Sequence, residues 1–137
     1  MTWSETLVTP AESIVVQSVR VDSSAGLALR DAMFAPLGHT RNGVTLLGIL
    51  RGFPPTKEDL ARAVSVDWAH RLSADGAHLQ SGRQYLLTLE LRLNGSKVPA
   101  ALSAATVVYE ARGQRSASTI TTRLVLPVEG AVCSAHF

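Results

Sequence analysis

The chain has 137 residues, of which 46% are hydrophobic and 18% charged, with a net charge of +2 and a single cysteine. That length suits one domain with a core of its own, and a charged share below the roughly 25% of ordinary soluble domains excludes a disordered chain. One cysteine excludes an intramolecular disulfide framework and a four-cysteine zinc site.

Residues 1–11 read as a flexible lead-in punctuated by Pro10, with no basic region and no apolar run to mark a secretory signal. Residues 13–21 (SIVVQSVRV) are rich in β-branched side chains. Val15, Val19 and Val21 share one face there, with Gln17 between them, which predicts a strand. Asp22, Ser23 and Ser24 then offer helix-capping chemistry. The spacing of Leu27, Ala28, Asp31, Ala32 and Phe34 predicts a short helix that stops before Pro36. Residues 36–42 form a loop ending in the turn signal Asn42-Gly43. Residues 44–51 (VTLLGILR) read as a buried strand in which Gly48 marks a bulge or a close backbone approach.

Gly52-Phe53-Pro54-Pro55 breaks the chain. Thr56 then caps a helix whose first turn carries Glu58 and Asp59, suited to its positive end. Leu60, Val64, Trp68 and Leu72 recur at spacing four and predict that the helix runs over about 57–72. A rival pattern overlaps it: Val64, Val66 and Trp68 also alternate, as in a strand. Asp75-Gly76 closes the element. In Gln84–Leu93 the alternation is clear, with Tyr85, Leu87, Leu89, Leu91 and Leu93 on one face and Leu86, Thr88, Glu90 and Arg92 on the other. Asn94-Gly95 reads as a hairpin turn into a strand over 100–110. Arg112-Gly113-Gln114 turns again into a strand over 116–126, and Pro127 ends it.

These elements predict an α+β domain. An antiparallel sheet of about five strands, ending in a three-stranded meander, packs on one principal helix at about 57–72. The alternative is a mainly β, sandwich-like arrangement. The domain spans residues 1–137, with flexible ends at about 1–11 and 129–137.

Chemistry is sparsely marked. No nucleophile elbow, phosphate-cradling loop, dinucleotide fingerprint or zinc-protease helix motif is present. His39 lies in a loop, where it suits general acid–base work, with Arg41 two residues on to hold an anionic ligand. Asp67 and His70 are three apart and touch if that segment is helical, which makes them a candidate acid–base pair. Glu90 shares its strand face with Arg92, and Arg123 is placed to join them across the sheet. A cover over that face would make Glu90 a candidate base. Cys133 and His136 supply two ligands where a structural zinc site needs four, so no metal and no cofactor is expected.

The 11 arginines and 2 lysines form no stripe and do not interleave with aromatics, which argues against nucleic acid as a partner. The longest uncharged stretch, residues 98–109, is far below the ~20 apolar residues of a spanning helix, so no membrane is expected and the cytoplasm is the default location. Low charge with high apolar content favours a homo-oligomer. The expectation is a small, non-catalytic binding or interaction domain that self-associates and holds a protein partner or an apolar small molecule. The alternative is a small pocket enzyme in which a curved antiparallel sheet wraps a helix, as in hot-dog thioesterases or cone-shaped isomerases. That likeness is architectural only, since no motif residue of either family is present.

Overall fold

The computed structural model describes residues 2–8, 12–24, 26–38, 49–50, 54–62, 66–93 and 100–126. In chain order the elements are strands β1 (Thr2–Val8), β2 (Ile14–Ser23), β3 (Leu27–Pro36) and β4 (Ile49–Leu50), and helix α1 (Lys57–Arg62). A 3-10 turn (Trp68–His70) follows, then strands β5 (Leu72–Ser73), β6 (His78–Leu79), β7 (Gln84–Leu93), β8 (Ala100–Ala111) and β9 (Gln114–Leu126). The strands form two antiparallel sheets. The first has the order β4-β1-β7-β3-β5 and the second β6-β2-β8-β9.

The core lies between the sheets. Phe34 from β3 and Leu87, Leu89 and Leu91 from β7 pack in one cluster with Val16 from β2, Leu102 and Val107 from β8 and Leu124 from β9. Strands twist and bend as they wrap such a core, and β2, β3 and β8 keep their apolar side chains inward by inserting one extra residue, while β9 gains one against β8 between Thr121 and Leu124. In β2 the register steps from Val16↔Tyr109 to Ser18↔Val108, so Gln17 is the bulged residue. Ile14 and Val16 before it, and Val19 and Val21 after it, all turn to the core. In β3 the step from Leu29↔Leu91 to Asp31↔Glu90 leaves Arg30 over. Leu27 and Leu29 before it, and Ala32 and Phe34 after it, are the core residues. In β8, Ser103 is extra against β2, between Leu102 and Ala104. Gln17, Arg30 and Ser103 are all exposed. Without the bulge, the second half of each strand would show its apolar face to water.

One side of the sandwich is closed by the segment from β5 to β6. β5 pairs with β3 in the first sheet and β6 pairs with β2 in the second. Between them the Ala74 N–H donates to Ala32 O at 2.9 Å, and the Gly76 N–H donates to Val16 O at 2.9 Å. Ala74, Ala77 and Leu79 are buried beneath this strap. β8 and β9 join through Arg112 and Gly113, with φ of 51° and 74°. Both values are positive, as the tightest hairpin turn requires.

The α+β expectation is therefore corrected: the described residues are mostly strand, in two antiparallel sheets, with no principal helix among them. The described helical run is Lys57–Arg62, and by Val66 the chain has left it. Val66 instead bridges to Leu37, and the Asp67 N–H donates to Pro36 O at 2.9 Å. The Asp67 carboxylate then caps the 3-10 turn by accepting from the His70 N–H. A short acceptor side chain at that point competes with helix continuation. The segment 27–34 is strand, not helix. The expected lead-in carries β1, which pairs with β7 from Thr2↔Glu90 to Val8↔Gln84. The meander is also overturned: β7 pairs with β1 and β3, while β8 and β9 belong to the other sheet. Of the strand expected over 44–51, Ile49–Leu50 appears as β4, and residues 44–48 lie outside the described residues, as does the Asn94-Gly95 turn.

Candidate functional site

The residues singled out for chemistry fall in separate places. His39, Arg41, Cys133 and His136 lie outside the described residues. Asp67 and His70 do meet, with His70 Nδ1 2.8 Å from Asp67 Oδ2. The pair forms across the 3-10 turn, not along a helix. Their side chains are 79% (His70) and 47% (Asp67) exposed. Water screens such an exposed pair. Its evident work is local: the same carboxylate accepts the His70 backbone N–H at 3.3 Å and holds the turn. Arg71 completes the elbow by lying over the Trp68 ring, 5.1 Å from its centroid, and donating to Trp68 O at 3.0 Å.

Trp68, Val66 and Leu37 lie on the outer face of the first sheet, against Leu86 and Ala35. Glu90 is on that face of β7 but four residues further along, roughly 13 Å from Leu86 at strand rise. It is half-buried, with Thr2 of β1 and Asp31 of β3 as its register neighbours. Asp31 is the neighbour that periodicity did not suggest. The bulge at Arg30 brings it opposite Glu90, whereas a helix reading of 27–34 left it on a turn. Its Oδ1 accepts the Ala32 N–H at 2.8 Å. Two carboxylates directly opposite on a sheet repel. Arg92 is exposed on the same strand, and no ion pair joins it to Glu90 among the described residues. The expected partner Arg123 sits in β9 of the other sheet and does not reach this face.

Between Leu86 and Glu90 lies Thr88, 0% exposed, whose Oγ1 has no hydrogen-bond partner among the described residues. The other buried hydroxyl of β7 contrasts with it: Tyr85 accepts the Gln80 N–H at 3.0 Å. Among the described residues no three His, Cys, Asp or Glu side chains come together in a way that would hold a metal ion.

The second sheet offers a different kind of feature. β9 is 13 residues long and pairs with β8 from Ala100↔Leu126 to Ala111↔Gln114. Among the described residues it stands at the end of its sheet. Gln114, Arg115, Ser116, Ala117, Thr119, Thr121 and Arg123 are exposed. Sequence periodicity finds such a strand but does not say which strand ends a sheet.

Among the described residues the only exposed large hydrophobic side chains are Leu72 and Leu93. No helix among the described residues is long and apolar enough to cross a membrane. No protein-family model, no curated protein and no solved structure matches this chain.

Proposed function

We propose that this chain is a non-catalytic interaction module, a two-sheet β domain that joins other protein chains through its surface. The observation that supports it is the long, exposed β9 at the end of the second sheet. An edge strand presents a row of backbone donors and acceptors that another chain can use. The acid–base candidates among the described residues are dispersed between an exposed elbow and a half-buried strand position, an arrangement that suits a scaffold better than a pocket. Self-association is part of the reading, because a second copy is one chain such a surface can take.

Native mass spectrometry of the full chain purified from its expression host tests this. A protein-sized addition, either a second copy or another chain in fixed stoichiometry, is the expected result. A monomer that retains one small organic molecule in fixed stoichiometry would overturn the reading in favour of a small pocket enzyme.

A further inference from the structure

We infer that the outer edge of β9 docks an extended, acidic segment of another protein, which adds to the second sheet as a new end strand. This rests on the interaction-module reading and names the chemistry of the partner.

The geometry begins with the ladder. From Ala111↔Gln114 to Ala104↔Thr121 the pairing of β8 with β9 runs without a break, so residues 114–121 are a regular strand. In an antiparallel ladder about half of the N–H and C=O groups of an end strand point away from its partner. Among the described residues no strand takes up those of β9. Their spacing matches only another extended backbone.

At the opposite end of the second sheet, and at one end of the first, stand β6 and β5, each two residues long, and the strap between them closes that side of the sandwich. Short, covered ends are the usual protection against unwanted pairing. Among the described residues β9 is long and uncovered, and it carries no proline and no lysine. Its side chains over 116–121 are Ser, Ala, Ser, Thr, Ile and Thr, small enough to admit a neighbouring strand.

Charge selects the partner. β9 carries Arg115 and Arg123 and no carboxylate. Arg115 faces Glu110 across β8, and Gln17 Nε2 donates to that carboxylate at 3.1 Å. On the free side nothing of opposite sign faces either arginine among the described residues. Opposite charges directly across a ladder stabilise it, and like charges oppose it. A second copy of β9 brings arginines and no carboxylate to face Arg115 and Arg123. An incoming strand with Asp or Glu opposite these arginines satisfies both the backbone and the charge.

The test is residue-resolved hydrogen exchange on the full chain with two synthetic probes. One is an eight-residue peptide of alternating threonine and glutamate, the other its threonine–lysine counterpart. The acidic peptide should protect alternate amides within residues 114–121, those that do not donate to β8, and the lysine peptide should not. Arg115→Glu combined with Arg123→Glu should weaken the acidic peptide about tenfold and admit the lysine one. Both sites are exposed, and Arg115→Gln with Arg123→Gln serves if the reversal disturbs the fold. Equal protection by both peptides, or none by either, would overturn the inference. So would edge amides that are already protected in the peptide-free chain at every concentration, which would mean the chain covers its own edge. Protection that rises with protein concentration alone would assign the edge to a second copy. That result would defeat the acidic partner while leaving the interaction-module reading standing.

Discussion

Replacing Thr88 with valine should stabilise the protein. Thr88 is fully buried at the middle of β7, flanked in register by Met33 and Ser4, and its hydroxyl has no partner among the described residues. A buried hydroxyl left unpaired costs about 1–3 kcal/mol. Valine keeps the β-branched shape that a strand prefers and puts a methyl group where the hydroxyl was. The expected gain is ~1–2 kcal/mol, which for a domain of this size raises Tm by roughly 3–8 °C. Urea denaturation followed by far-UV circular dichroism reads it as a higher midpoint at unchanged slope. Thr88→Ser is the control. It keeps the hydroxyl and loses the methyl group, so it should cost about 1 kcal/mol. If Thr88→Val destabilises while Thr88→Ser is neutral, the hydroxyl has a partner and the reasoning fails.

Three further changes probe the fold. Phe34→Ala removes the largest fully buried side chain and should cost about 3–5 kcal/mol, a large part of the stability of an ordinary domain, seen as a lower urea midpoint. Arg112→Asn should raise Tm by about 1–3 °C in scanning calorimetry, because asparagine accepts the φ of 51° more readily than arginine. The exposed Arg112–Glu12 pair at 3.0 Å that it removes offsets only a little of that gain. Asp67→Ala should cost about 1 kcal/mol in thermal unfolding through loss of the turn cap, whereas Asp67→Asn, which still accepts the His70 N–H, should cost less than half of that.

Local patterning determined a good deal of this protein. The alternation in Gln84–Leu93 marks a strand whose Tyr85, Leu87, Leu89 and Leu91 are all core residues, because a strand regular over its length keeps strict period two. Arg112-Gly113 marks the β8–β9 turn, since glycine favours positive φ whatever surrounds it. The contact between Asp67 and His70 follows from their spacing, although a 3-10 turn makes it instead of a helix.

Long-range packing decided the rest. The bulge at Arg30 turns an alternating strand into core positions 27, 29, 32 and 34, a spacing that imitates a helix. The extra residue is a feature of the pairing of β3 with β7, and neither strand's own sequence states it. The meander failed for a similar reason. Hairpin chemistry says that a chain turns, not that the next strand returns to the same sheet, and here β7 is taken by β1 and β3. Residues 64–72 carried both periods at once, and the pairing of Val66 with Leu37 settled the matter against the long helix. Which carboxylate faces Glu90, and which strand is left at the end of a sheet, are facts of pairing. They depend on residues far apart in sequence and are set only when the two sheets close on one core.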